Sequence, residues 1–324
     1  LKSINFLQLN IFRLKTLNGW VKDALLRKVA YSPTFRFFAA MQLENIKTIA
    51  VCGAGTMGSG IAQVAAQAGY STIQYDVNNE MLYKSQTGIE KSLDFLISKG
   101  KVTVSAGEEI LKRIRFTSSI WDCKADVVIE AIIEKPEVKS DLFQQLHEVN
   151  GADTIFASNT SSLSISQLQG HIPHPERFAG MHFFNPANIM KLVEIVKGEQ
   201  TAQQTADTLF GLALAMGKTP VHCKDAPGFI VNHVARTYYL EAMHLVENGY
   251  ATVETVDEVM EATGFKMGPF KLMDLIGMDI NYKVSCEVWE ALGEPDRLKP
   301  SGLQKAKVDA GELGKKTGKG FYSY

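Results

Sequence analysis

Ile49-Ala50-Val51-Cys52-Gly53-Ala54-Gly55-Thr56-Met57-Gly58 is the stretch on which the reading of this chain turns. Apolar, strand-forming residues run straight into G-x-G-x-x-G, and Ser59-Gly60-Ile61-Ala62 carries on in helical sequence. A strand that turns directly into a helix aims the first free N–H groups of that helix, and the positive end of its dipole, at a phosphate. In such a turn Gly53 permits the tight bend, Gly55 lets a pyrophosphate approach the backbone, and Gly58 lets helix and strand pack closely, with Thr56 and Met57 between them. Asp76 ends the next strand about 20 residues on, where an acid binds ribose hydroxyls and repels a 2′-phosphate. The residues therefore predict a dinucleotide site that prefers NAD to NADP. A purely structural turn, with Asp76 capping a loop, fits the same pattern and stays open at this point.

Outward from that turn, short β-rich runs alternate with helical ones. Strands are predicted over Thr48–Cys52, Ser71–Tyr75, Asp126–Ala131, Thr154–Ala157, Arg177–Phe184, Leu192–Val196 and Thr219–His222, and helices over Gly58–Ala68 and Asn79–Ser98. Such alternation argues for βαβ units and an α/β, Rossmann-type, mostly parallel sheet. After Asp225-Ala226-Pro227-Gly228 the pattern changes to amphipathic stretches alone: Phe229–Glu247, Val253–Ala262, Lys271–Ile276, Ile280–Leu292 and Leu303–Ala310. The expected domains are an N-terminal extension over 1–44, an NAD-binding domain over 45–227 and an all-helical domain over 228–324.

Lys plus Arg number 34 against 35 Asp plus Glu. No global field recruits nucleic acid or an anionic membrane, and no apolar run approaches the roughly 20 residues that span a bilayer. Cys52, Cys123, Cys223 and Cys286 are scattered, without paired metal spacing, and read as reduced core thiols. In the first forty residues seven Lys and Arg face the single acid Asp23. This is either sequence upstream of a start at Met41 or a targeting segment. The expected location is accordingly cytoplasmic, or the mitochondrial matrix if the segment is a presequence.

Two further runs carry chemistry: Gly180-Met181-His182-Phe183-Phe184-Asn185-Pro186 and Lys191-Leu192-Val193-Glu194-Ile195-Val196. A carboxylate inside Leu-Val-Glu-Ile-Val is costly to bury unless it is paired. If the runs form an antiparallel pair centred near Asn188, His182 and Glu194 stand opposite one another. An imidazole held by a carboxylate can take a hydroxyl proton while a nearby nicotinamide takes the hydride. Because the chain carries its own acid–base pair, FAD suits it less well than NAD. The pattern alone is equally consistent with a structural core histidine and an edge-strand glutamate. The other histidines form no metal-ligand cluster with His182. Ser158-Asn159-Thr160-Ser161-Ser162 follows a buried strand, where open sheets bind ligands, although a helix cap and an Asx turn would also use these residues.

Taken together, these residues resemble the 3-hydroxyacyl-CoA dehydrogenase family, especially its short bacterial 3-hydroxybutyryl-CoA dehydrogenases. The resemblance runs from about Ile46 to Tyr324. Besides the runs above, it rests on Asp225-Ala226-Pro227-Gly228-Phe229-Ile230-Val231-Asn232, Gly268-Pro269-Phe270 and Gly314-Lys315-Lys316-Thr317-Gly318-Lys319-Gly320-Phe321-Tyr322. It implies His182 as general base, Glu194 as its orienting carboxylate, and Ser161 and Asn232 as partners of the reacting oxygen. It also implies that Glu134, Lys139, Asn185 and Lys316 line the dinucleotide, that Ser92 and Lys99 touch coenzyme A, and that the helical domain supplies a homodimer interface. The implied reaction is NAD-dependent oxidation of a (S)-3-hydroxyacyl-CoA. A related dehydrogenase of a free hydroxy or sugar acid, and a non-catalytic NAD-binding protein, are the alternatives. One departure stands out: Ala187-Asn188-Ile189 replaces the Val-Pro-Val-like sequence usual after Asn-Pro, which implies a more flexible turn there.

Overall fold

Why Thr48–Cys52 (β1) is so apolar is explained by its position: four of its five residues are buried, in the middle of a sheet. The computed structural model of the chain describes residues 43–324, so the expectations about the first forty residues lie outside the described residues. After β1 come α1 (Thr56–Gln67), β2 (Ser71–Tyr75), α2 (Asn79–Ser98), α3 (Val104–Lys112), β3 (Ile114–Thr117) and β4 (Val127–Glu130). Then follow α4 (Pro136–Val149), β5 (Ile155–Ser158), α5 (Ile165–Gln169), β6 (Phe178–Phe183), β7 (Leu192–Lys197), α6 (Gln203–Ala215) and β8 (Thr219–Lys224).

The eight strands form one sheet in the order β3-β2-β1-β4-β5-β6-β7-β8. Neighbours from β3 through β6 are parallel, β7 runs antiparallel to β6, and β8 is parallel to β7. The carboxyl ends of β1, β4, β5 and β6 therefore lie along one edge. The chain leaves β1 toward β2 and returns on the other side as β4, and open α/β sheets bind ligands in the crevice at such a reversal. Alternate residues of each strand serve opposite faces. Ile49, Val51, Val127 and Ile129 pack with Ile61 and Leu209 on one side, while Ala50, Cys52 and Val128 pack with Phe143, Phe156 and Phe178 on the other. Cys52, Cys123 and Cys223 are buried and all four thiols are free. Burial, with Glu194 and Asp225 nearby, pushes the Cys223 thiol up to about 12.

Beyond β8 the described elements are helical: α7 (Val231–Glu247), α8 (Val253–Ala262), α9 (Pro269–Ile276), α10 (Met278–Ala291) and α11 (Gly302–Asp309). Leu240, Met243, Phe270, Met273 and Met278 form their core. Two buried carboxylates pin the pieces. Asp257 accepts the backbone N–H groups of Phe270 and Lys271 at the start of α9, and Asp274 accepts those of Phe321 and Tyr322 in the closing segment. No helix among the described residues is long and apolar enough to cross a membrane.

The sequence reading named neither β3 nor α3, α4, α5 or α6. β3 is an edge strand of four residues with one exposed charge, Arg115, and only Ile114 fully buried. Edge strands lack the continuous apolar run of a central parallel strand, so the periodicity is weak there.

Candidate active site

The turn after β1 has the geometry that a dinucleotide needs. Gly53 sits at φ 109°, and a Cβ there would stand 2.4 Å from the Ala131 carbonyl oxygen. At Gly58 a Cβ would lie 1.9 Å from the Gly53 oxygen, whereas one at Gly55 would meet nothing within 4 Å. The helix start is thus packed against the sheet and open toward solvent. Helix α1 has no side-chain cap and no acidic residue in its first turn, so its free N–H groups and dipole remain for an anion. The Asp76 carboxylate, at the end of β2, accepts Ala54 N–H at 2.8 Å and Asn78 N–H at 2.9 Å. It is held beside the turn with lone pairs to spare for hydroxyl donors.

Farther along the same edge, His182 and Glu194 are direct partners in the β6–β7 register. His182 Nδ1 lies 2.8 Å from Glu194 Oε2, and His182 Nε2 lies 3.0 Å from Ser161 Oγ. The other carboxylate oxygen, Glu194 Oε1, accepts the N–H groups of Ile230 and Val231, each at 3.0 Å. Both ends of a fully buried carboxylate are therefore satisfied, and the same group ties the sheet to the first turn of α7. With Glu194 accepting from Nδ1–H, Nε2 carries the free lone pair of the neutral ring. Asn232 reaches back to the Ser161 carbonyl at 3.4 Å.

A second carboxylate cluster supports the loop after β5. Glu134 Oε1 accepts from Thr160 Oγ1 at 2.5 Å and from Ser161 N–H at 2.8 Å, which places Ser161. Burial works to raise the Glu134 carboxyl, but the Lys139 ammonium and these donors outweigh it and hold it below the usual range. Lys139 itself is 1% exposed, bonded to Glu130 at 2.5 Å and Glu134 at 3.1 Å. Two carboxylates hold its ammonium inside the protein, beside the Glu134 that supports the loop after β5. Glu130 also accepts from Ser158 Oγ and Ile132 N–H, and burial raises its carboxyl against the pull of Lys139.

The remaining expected residues separate. Ser92 lines a cleft of 330 Å³ that begins at Gly55 and Thr56 and runs between α1 and α2. Lys99 caps the end of α2, exposed, its ammonium 5.5 Å from the Phe95 ring centre. Asn185 is exposed at the end of β6. Lys316 lies in the helical part, where both Asp279 oxygens hold its ammonium at 2.5 and 2.7 Å.

Two contributors escaped the sequence reading. Glu130 interrupts an apolar strand just as Glu194 does, and the same burial argument would have found it. Phe229 is buried with φ 52° and packs edge-on to His182, ring centres 5.7 Å apart. A bulky residue at positive φ is uncommon and clusters at functional sites, and no local pattern announces it.

Comparison with known proteins decides the lineage. The family described as "3-hydroxyacyl-CoA dehydrogenase, NAD binding domain" matches residues 48–226, and "3-hydroxyacyl-CoA dehydrogenase, C-terminal domain" matches residues 228–324. The chain belongs to the 3-hydroxyacyl-CoA dehydrogenase family. It is 46% identical over 282 residues to 3-hydroxyadipyl-CoA dehydrogenase of Escherichia coli, covering 86% of this chain and 59% of that one. Human mitochondrial hydroxyacyl-coenzyme A dehydrogenase is 41% identical over 315 residues, covering 94% of this chain and 99% of its own. The crystal structure of (S)-3-hydroxybutyryl-CoA dehydrogenase from Ralstonia eutropha superposes with a TM-score of 0.83 at 37% identity, covering 86% of this chain and 99% of that one. As a 3-hydroxyacyl-CoA dehydrogenase family member, the chain carries an NAD-binding domain, and NAD fits the open helix start and the Asp76 carboxylate described above.

Proposed function

We propose that this chain catalyses the reversible oxidation of a (S)-3-hydroxyacyl-CoA, with 3-hydroxybutyryl-CoA to acetoacetyl-CoA as the expected conversion. The observation that carries the proposal is the His182 imidazole, held through Nδ1 by a buried carboxylate and open at Nε2 beside a hydroxyl. Such a ring accepts the proton of the substrate 3-hydroxyl at Nε2, and Glu194 stabilises the imidazolium that forms. Ser161 and Asn232 hydrogen-bond the reacting oxygen. NAD, when bound, supplies the acceptor for the hydride that leaves C3. Glu134 and Asn185 face its ribose side in this reading, with Lys139 setting the charge of Glu134 from behind. Phe229 and Phe184 flank the imidazole and limit water around it.

The thioester itself does not react. Coenzyme A is a handle whose remote binding energy positions C3, and in this reading Ser92 and Lys99 touch it. Residues 45–227 act as the nucleotide-binding domain, and residues 228–324 as the substrate-binding and dimerisation domain.

The test follows NADH absorbance with acetoacetyl-CoA, with free acetoacetate and with NADPH as comparisons. Rapid oxidation of NADH with the thioester alone supports the proposal. Turnover of free acetoacetate without the thioester would replace it with a free-acid dehydrogenase.

A further inference from the structure

In the reading above, the start of α1 places NAD and the β6–β7 pair places His182. Hydride and proton leave neighbouring atoms of one substrate, so these two elements must keep one spacing. They meet at residues 184–191, the loop that joins β6 to β7. A Cβ on Gly60, in the second turn of α1, would stand 3.1 Å from Ala187 Cβ and 3.3 Å from the Asn188 nitrogen. Glycine at that position lets the loop rest directly on the helix. Ala187, 1% exposed, joins the core that Ile61 and Ala65 of α1 help to build.

Lys218 fixes this loop from outside it. It stands between α6 and β8, its own N–H bonded to the Ala213 carbonyl at 2.9 Å, and the N–H of Thr219 donates to the Lys191 carbonyl at 2.8 Å. The Lys218 ammonium donates to two carbonyl oxygens of the loop, Ala187 at 2.5 Å and Met190 at 2.9 Å. The N–H groups of Ile189 and Met190 go to the Pro186 carbonyl, so they cannot serve those two oxygens. A buried charge is normally paired with an opposite one. The charge that acts on Lys218 is instead a second cation, Lys191, whose ammonium donates to the Gly217 carbonyl at 3.3 Å. Burial first, and then that repulsion, push Lys218 down to about 8. An apolar side chain of similar length would be buried here at less cost. What the ammonium contributes is its pair of bonds to the loop.

We propose that Lys218 is a positioning residue for the hydride and proton transfer: its bonds to Ala187 and Met190 hold the loop on α1 and so set how His182 stands to the nicotinamide. The inference rests on the hydroxyacyl-CoA reading above and adds to it a residue, outside the site, that keeps its two halves in register. A charged donor holds a carbonyl about twice as strongly as a neutral one. The clamp is therefore tight at pH 7 and weakens as the ammonium loses its proton above about 8.

The experiment follows a single turnover of (S)-3-hydroxybutyryl-CoA with saturating NAD by stopped flow, reading NADH, for the full chain and for Lys218→Met. At pH 7 the variant should form NADH about 10- to 100-fold more slowly, since small misplacements of reacting groups cost that much. Its steady-state KM for NAD and for the thioester should stay within about threefold. From pH 7.5 to 9.5 the rate of the unaltered chain should fall by about threefold or more, and that of Lys218→Met should not fall. His182 is the base in this direction, so its own titration cannot slow the reaction as pH rises. A variant rate within about twofold of the unaltered chain at pH 7 overturns the proposal. So does a slow variant whose KM values rise in the same proportion, which marks a general loosening, or one that keeps the alkaline fall. Should Lys218→Met not fold, the unaltered chain decides alone, and a rate that holds level to pH 9.5 overturns the proposal. If the unaltered chain makes no NADH from the thioester at any pH, the functional reading fails first and this inference falls with it.

Discussion

A carboxylate in the dry middle of a sheet persists only when its oxygens are filled, and Glu194 fills both, with His182 on one side and two helix N–H groups on the other. This makes Glu194 both the orienter of the imidazole and a joint between sheet and helical part, so changes at the two partners differ in kind. His182→Gln should lower kcat by roughly 10²–10⁴ with NAD binding retained, as read by titrating nucleotide fluorescence. Full turnover by that variant would remove His182 from the mechanism. Glu194→Gln should also lower kcat and, in addition, lower thermal stability, because a neutral amide is a weaker acceptor for the Ile230 and Val231 N–H groups. Asp76 is a separate case: its carboxylate both braces the turn and repels a 2′-phosphate. For Asp76→Ser the ratio of kcat/KM with NADH to that with NADPH should fall by about tenfold or more; an unchanged ratio would place the discrimination elsewhere. At this scale the pairing of His182 with Glu194 was readable because each interrupts an apolar run. The sequence was unreadable where the information is in a backbone angle, as at Phe229, or in a pairing between separate elements, as when Glu130 on β4 and Glu134 draw Lys139 on α4 inside.

Element by element, legibility follows burial on both faces. β1 and β2, each buried over four consecutive residues, and the amphipathic α2 and α8 have the bounds their patterns predict. β3 at the sheet edge left no comparable trace. The β6–β7 loop is an intermediate case: its strands and register follow from symmetry about Asn188, but its anchor does not. Lys218, distant in sequence and nearly buried, donates to the carbonyls of Ala187 at 2.5 Å and Met190 at 2.9 Å. These bonds brace a turn expected to be flexible. Burial, then the neighbouring Lys191 charge, pushes Lys218 down to about 8. An unfolded lysine titrates near 10.4, so between about 8 and 10.4 the unfolded chain binds more protons and stability rises with pH. The stability difference between the unaltered chain and Lys218→Met should therefore shift in favour of the unaltered chain from pH 7.5 to 9.5. The expected shift is on the order of 1 kcal/mol, read from urea unfolding at the two pH values. A pH-independent difference would mean that Lys218 keeps its proton throughout the window.

On the scale of the whole molecule, the two parts divide the work unevenly. The sheet edge carries the fingerprint, Glu134, Ser161 and His182, while the helical part contributes Asn232 and the N–H groups that hold Glu194. The helical part also exposes large apolar side chains that its own core does not use. Val234 on α7 is 64% exposed, Leu275 on α9 51% and Ile280 on α10 45%. Exposed apolar groups gathered on one part of a chain mark an association surface more often than a solvated one, and a self-complementary surface closes as a two-fold dimer. A stable interface of that kind buries about 1,200–2,000 Å² in total, which several helices can supply together and a single one cannot. Light scattering should accordingly give twice the chain mass at micromolar concentration. Leu275→Asp combined with Ile280→Asp should shift the protein toward the chain mass, since two buried carboxylates without partners are strongly disfavoured. Because α9 and α10 pack against α7, whose first turn carries Asn232 and is held by Glu194, separation of the protomers should loosen the substrate side before the nucleotide side. The double variant is thus expected to raise KM for acetoacetyl-CoA more than KM for NADH. A monomeric variant with both constants unchanged would show that the site is complete within one chain, and an unaltered chain that scatters as a monomer would remove the dimer altogether.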